Sequence, residues 1–137
     1  MKVFVDTDVI IDVLLERKDF NYSIKVLEYL ELGKLKGVTS PVIITNIFYI
    51  VSKEKSKNEA WGMIRKLRLL FKITKINQSI IDKALTSNFK DFEDAIQYYS
   101  ALDNKVDYLV TRNKSDYVGK EIVIVSPQEL LALIDKN

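Results

Sequence analysis

Apolar positions along this chain follow two periods. Short apolar stretches of strand length fall at Val3–Val5, Lys36–Thr39, Phe71–Ile76 (FKITKI), Asp107–Thr111 (DYLVT) and Glu121–Val125 (EIVIV). Between them apolar residues recur at helical spacing. Asp8–Leu15 offers a turn or two. Asp19–Leu32 repeats Phe20, Ile24, Leu27 and Leu30, and Gly33 supplies a stop. Ser40-Pro41 opens a helix, because Ser caps and Pro fits the first helical position; it runs to about Lys53. Asn58–Leu70 carries Trp61, Ile64 and Leu67 on one face, continued by Phe71. Asn77–Ser87, Phe92–Leu102 and Pro127–Ile134 complete the helices, and Arg112–Lys120 reads as a polar loop. Short apolar strands alternating with helices predict an α/β fold. The expected form is a three-layer α/β/α arrangement around a central parallel sheet of about five strands. No repeat, low-complexity stretch or linker interrupts the 137 residues, so 1–137 reads as one domain.

Composition narrows the chemistry. The chain has no cysteine and no histidine. That excludes disulfides, thiol catalysis, zinc ribbons and the side chain that most often moves protons near pH 7. Catalysis must then rest on carboxylates, hydroxyls, amides, Lys, Arg or an oxygen-loving metal. The N-terminal MKVFVDTD meets an acid too soon for a signal peptide, and no uncharged run approaches the roughly 18 residues of a membrane span. The expectation is a cytoplasmic protein with no membrane partner.

In open α/β sheets ligands gather at the carboxyl ends of the strands. Acids stand at three such places: Asp6 with Asp8, Asp91 with Asp94, and Asp116. Singly, most have an ordinary explanation. Asp8 caps a helix, Asp91 and Asp94 favour the dipole of a first helical turn, and Asp116 is a loop acid in water. Asp6 is different. Directly after VFV it should be shielded from water, and a shielded carboxylate needs a partner. No Lys or Arg follows it within several residues, and a divalent cation suits several converging carboxylates. Asn46 also stands out, as a polar residue among Ile43, Ile44, Ile47 and Ile50; burying its amide unpaired would cost of order 1–3 kcal/mol. A structural hydrogen bond and a functional role explain it equally well. Thr111 is either strand filler or a hydroxyl that braces an acid.

Taken in order, VFVDTDVIIDVL, SPVIITNIFYIV, DFEDAIQYYSA and DYLVTRNKSDY resemble the PIN-domain nucleases, and most closely the small VapC-like toxins of toxin–antitoxin pairs. The likeness covers nearly the whole chain. It implies a metal-dependent endoribonuclease with an acidic pocket for Mg²⁺ or Mn²⁺, RNA as substrate, an antitoxin protein as partner and a homodimer. By position, Asp6, Asp94 and Asp116 match the family's first, third and fourth metal-binding acids. Thr111 matches the hydroxyl supporting the first acid. Asp8, where the family often has Asn, falls with Asp91 and Asn113 among the supporting residues. Arg112 and Lys114 flank the site as phosphate contacts. The departure is Asn46, which stands where the family usually carries Glu. It can orient a water or ligate through its oxygen but brings no charge. Either Asp8 or Asp91 makes up the deficit, or metal binding and cleavage are weak.

The formal net charge of +2 conceals an asymmetry. Lys53–Lys75 carries eight bases against two acids, a net of +6 that leaves −4 elsewhere. A basic segment beside an acidic site suits an RNA backbone, although such runs more commonly mark a solvated helix face. Three alternatives remain. DTDV after a strand matches the nucleophile motif of haloacid-dehalogenase phosphatases, but their later acids should follow the Thr, and here Asp91 and Asp94 precede Thr111. A receiver domain needs an acid ending a middle strand, which FKITKIN lacks. The third is a catalytically weak or inactive PIN-fold module that binds RNA or protein.

Overall fold

The computed structural model describes residues 1–17 and 20–136. Five parallel strands form one sheet: β1 (Lys2–Val5), β2 (Lys36–Thr39), β3 (Phe71–Ile73), β4 (Tyr108–Val110) and β5 (Val123–Val125), in the order β3-β2-β1-β4-β5. The described helices are α1 (Thr7–Leu14), α2 (Phe20–Glu31), α3 (Pro41–Glu54), α4 (Lys57–Leu70), α5 (Gln78–Leu85), α6 (Phe92–Asp103) and α7 (Pro127–Asp135). They flank the sheet in a three-layer α/β/α fold, as the alternating pattern predicts. The expected start of the second helix at Asp19 lies outside the described residues.

β1 sits at the centre because its side chains have no solvated face. Val3, Phe4 and Val5 are fully buried, and each such side chain contributes about 1.5–3 kcal/mol of burial. β1 pairs with β2 through Phe4 opposite Val38 and with β4 through Val5 opposite Val110. The chain proceeds from β1 outward through β2 to β3, then returns to the other side of β1 for β4 and β5. Strand order therefore reverses between β1 and β4, and the crevice at their carboxyl ends is where this architecture binds ligands.

The structure trims two expected strands. β3 ends at Ile73 rather than Ile76 because its neighbour β2 ends at Thr39, and the Thr74 N–H bond to the Thr39 carbonyl is the last rung. β5 begins at Val123 rather than Glu121 because the Glu121 N–H donates to the Tyr98 hydroxyl at 2.7 Å, not to a ladder. The same ring presses on Gly119, where a Cβ would stand 2.1 Å from Tyr98 Cζ. Ser40 caps α3 as expected, its Oγ accepting from the Ile43 N–H at 3.2 Å. Trp61, expected on an apolar helix face, is instead 55% exposed and packs edge-on against Phe48.

Candidate active site

Asp6 is the first residue after β1. Its backbone still follows the sheet, its N–H donating to the Val110 carbonyl, while its side chain turns back to cap α1 by accepting from the Thr7 N–H at 2.7 Å. The other oxygen, Oδ2, accepts from the Tyr117 hydroxyl at 2.8 Å and from Thr111 Oγ1 at 3.1 Å. Thr111 lies just past β4 and is fully buried, so its brace comes from the sheet itself. Burial pushes the Asp6 carboxyl up to about 6; the Asp8 charge adds to that, and the donated hydrogen bonds oppose it. Tyr117 is pushed up from its ordinary value by burial and by the facing Asp6, so it remains a donor.

Asp8 holds the other side of Thr111. Its Oδ2 accepts from Thr111 Oγ1 and the Arg112 N–H at 3.1 Å and from Asn113 Nδ2 at 3.0 Å. The single Thr111 proton is thus shared between two carboxylates. Asp8 Oδ1 is buried with no hydrogen-bond partner.

Asp94 comes from the first turn of α6. Asp91 caps that helix, its Oδ1 accepting from the Asp94 N–H at 2.9 Å, rather than standing within its first turn, and the cap expected of Asp8 on α1 is made by Asp6. Asp94 is pushed up to about 7 by burial, then by Asp91, Asp6, Asp116 and Glu93 in turn. Asp116 stands in a short 3₁₀ turn (Lys114–Asp116) between β4 and β5. On α3, Ile43, Ile47 and Val51 form the buried stripe, and Asn46 faces α6, its Nδ2 donating to Glu93 Oε1.

Asp6, Asp8, Asn46, Asp94, Asn113 and Asp116 all line one cleft of about 440 Å³. Thr111 lies beneath it, and Asp91 is outside it. Glu93 also lines the cleft, with Arg17 and Tyr49 on its rim. The cleft therefore carries five acids and one base, and that base is already paired with Glu54 at 3.0 Å. Among the described residues none of the ion pairs reaches Asp6, Asp8, Glu93, Asp94 or Asp116.

Neither of the two expected phosphate contacts lines the acidic cleft. Arg112 Nε bonds Asp12 Oδ2 at 2.6 Å, and Asp12 is fully buried on α1. Lys114 Nζ pairs with Glu129 at 2.9 Å, both groups being half exposed. The basic segment also divides. Lys53 lies over the ring of Tyr49 at 5.2 Å, near the cleft. Arg68 and Lys72 join Lys2 and Lys36 around a different cleft at the amino ends of the strands.

Three residues went unnoticed in the sequence. Tyr117 follows Asp116 in KSDY, and nothing local marks it as the donor to Asp6. Asp12 reads as part of an amphipathic turn. Glu93 was traceable: it precedes Asp94, and four residues on stands Gln97, a polar residue on the same helix face.

The donor set, all oxygen and mostly carboxylate, fits a hard divalent cation. So do the unpartnered Asp8 Oδ1 and the mutually raised acids. Among the described residues no three acidic side chains are gathered into a finished cation cage. Like charges without a counter-ion gain by standing apart.

The fold and the sequence have known relatives. A protein of Aquifex aeolicus named "Ribonuclease VapC1" is 31% identical over 134 residues, covering 93% of this chain and 92% of that protein. The fold matches the crystal structure titled VapBC2 from Rickettsia felis bound to a promoter DNA fragment, with a TM-score of 0.71, 15% identity, and 92% and 98% of the two chains covered. It also matches a toxin–antitoxin complex from Klebsiella pneumoniae, with a TM-score of 0.69, 23% identity, and 91% and 97% covered. A profile of the PIN domain matches residues 2–115, and with it the haloacid-dehalogenase and receiver alternatives fall away: the chain belongs to the PIN domain family.

Proposed function

We propose that the chain is a metal-dependent endoribonuclease and the toxin of a toxin–antitoxin pair, hydrolysing RNA phosphodiester bonds in the cytoplasm. The observation that carries this reading is the cleft at the β1/β4 switch point, with five acids against one paired base, in a PIN-family chain whose Aquifex relative carries a ribonuclease name.

Asp6, Asp94 and Asp116 would hold Mg²⁺ or Mn²⁺. Such an ion, when bound, lowers the pKa of a bound water and neutralises charge at the phosphate. The chain's own residues prepare for it. Tyr117 and Thr111 hold Asp6 in one orientation, and Thr111 takes its position from β4. Asp8 fixes the Thr111–Asn113 turn and with it the approach to Asp116. Burial and the neighbouring acids push the Asp94 carboxyl up to about 7, so a bound cation would favour its ionised form.

Lys114 is the better phosphate contact of the two flanking cations. Its pair with Glu129 is exposed, and such pairs hold with about 0–1 kcal/mol. Exchanging that partner for a phosphate costs little. Arg112 is held by a buried acid. Tyr49 and Trp61, 61% and 55% exposed on α3 and α4, offer apolar surface for a homodimer or an antitoxin.

The test is cleavage of structured RNAs with and without Mn²⁺. Asp6→Asn and Asp94→Asn should each abolish Mn²⁺-dependent cleavage. Wild-type-like cleavage by both variants would overturn the assignment.

A further inference from the structure

The second of the family's four carboxylates is missing from α3, where Asn46 stands. We infer that Glu93 on α6 supplies it, with Asn46 as the positioning residue that holds Glu93 over the cleft. This rests on the metal-dependent reading above and adds to it a ligand from a different helix.

Among the described residues, side-chain hydrogen bonds tie α3 and its cap to α6. Deep in the seam, Ser40 Oγ donates to Gln97 Oε1 at 2.6 Å, both residues being buried. One helical turn nearer the start of α6, Asn46 Nδ2 donates to Glu93 Oε1. Glu93 and Gln97 are four residues apart and share a face, so the buried contact fixes the rotation of α6 that aims Glu93 at Asn46. The next residue, Asp94, is turned about 100° further around the helix, and its charge faces Asp6 and Asp116. The first turn of α6 thereby presents two acids to one cleft from two directions.

The other candidates for the missing charge are engaged elsewhere. Asp91 caps α6 and does not line the cleft. Asp8 is held on the β4 side by three hydrogen bonds to Oδ2, whereas position 46 lies on the β2 side of β1. Glu93 touches position 46 directly. Among the described residues it has no ion pair, and its Oε2 takes no hydrogen bond. One oxygen is steered by the amide and the other is left for a cation. Asp6, Glu93, Asp94 and Asp116 then restore a complement of four carboxylates, with the Glu moved across a hydrogen bond from α3 to α6. Asn46 is explained by the same move. A second carboxylate there would face Glu93 at hydrogen-bond distance, whereas an amide donates to it.

Glu93→Gln is the decisive substitution, because Gln keeps an oxygen that accepts from Asn46 and loses only the charge. Mn²⁺ affinity is measured by calorimetry and by the metal-induced rise in melting temperature, beside RNA cleavage. Glu93→Gln should weaken Mn²⁺ binding about tenfold, about 1.4 kcal/mol, with the metal-free melting temperature unchanged or raised. The exchange variant Asn46→Glu/Glu93→Gln should return affinity to within about threefold of the natural protein. Mn²⁺ affinity that is unchanged in Glu93→Gln while Asp94→Asn loses it overturns the role of Glu93 and leaves the metal site standing. A natural protein with no response to Mn²⁺ overturns both.

Discussion

Arg112 and Asp12 make the most quantitative test of the structure, because sequence and structure assign the arginine different tasks. Arg112→Met removes the guanidinium from a fully buried carboxylate and keeps most of the side chain's volume. Asp12 Oδ2 then retains only the Ser23 hydroxyl at 3.5 Å, and Oδ1 already has no partner. Breaking a fully buried pair costs about 3–5 kcal/mol. Here Arg112 is 43% exposed and lines a neighbouring cavity of about 410 Å³ with Ser23, so water can reach the abandoned acid. The cost should lie between that figure and the roughly 1–3 kcal/mol of an unsatisfied buried group, at about 2–3 kcal/mol. For 137 residues unfolding entropy gives roughly 3.5 °C per kcal/mol, so the melting temperature should drop by about 7–10 °C. The deficit should depend on pH. Burial already holds the Asp12 carboxyl above its ordinary value against the lowering effect of the Arg112 charge, so losing Arg112 raises it further. The penalty is therefore full at pH 8 and closes as pH falls toward 4. Thermal melts at pH 8 and pH 5, without RNA, measure both effects. Adding Asp12→Leu should recover at least half of the loss, since an apolar pair replaces an ion pair at little cost. A drop under about 2 °C, or one that persists unchanged in acid, refutes the pairing and returns Arg112 to the substrate.

Three further outcomes follow from the site. Tyr117→Phe removes a 2.8 Å bond to Asp6 and should cost about 1.5–3 kcal/mol in chemical denaturation above pH 6, where Asp6 is ionised, and much less at pH 5; an equal loss at both would mean that the hydroxyl serves packing only. Gly119→Ala drives a Cβ into the buried Tyr98 ring and should destabilise by about 1–3 kcal/mol on melting, and an unchanged melting temperature would show that the Tyr117–Glu121 loop yields freely. In metal-free protein Asp6 and Asp94 have folded values of about 6 and about 7, above their unfolded ones, so the folded state binds more protons; stability should fall as pH rises from about 4 to 7 and stay low above it. Mg²⁺ or Mn²⁺ at pH 8 should restore what was lost, and a metal-free stability that rises over that interval would contradict the stated balance.

Local signals carried most of the architecture. Lys36–Thr39 was legible to the residue because Gly33 closes the helix before it and a Ser-Pro helix start follows it, and α3 followed from the same two residues. Strand ends were less legible, since they depend on partners distant in sequence: Thr39 stops β3, and the Tyr98 hydroxyl claims the Glu121 N–H. Asp6 declared itself through the apolar strand before it. Its partners did not, because Thr111 and Tyr117 lie 105 and 111 residues away. Arg112 and Lys114 flank Asn113 along the chain, yet their side chains answer to Asp12 and Glu129, which no local pattern links to them.

What separates the structural acids from those of the cleft is the partner each one keeps. Asp12 has Arg112, Glu129 has Lys114, Asp91 has the Asp94 N–H, and Asp107 accepts from the Lys2 N–H at 2.8 Å. Asp12, the buried one of the four, keeps a cation, and the other three stand exposed to water. Asp6, Glu93, Asp94 and Asp116 have no cation among the described residues, although burial and mutual repulsion push Asp6 and Asp94 toward neutrality. A fold with free bases on its surface could have evolved one into the cleft, and Arg17 on the rim is held by Glu54 instead. Unrelieved charge at one point of an otherwise well-satisfied structure is what function costs a fold. The relief is then expected from outside the chain, by a group that is positive, hard and small enough for a cleft walled by α3, α6 and the ends of β1 and β4.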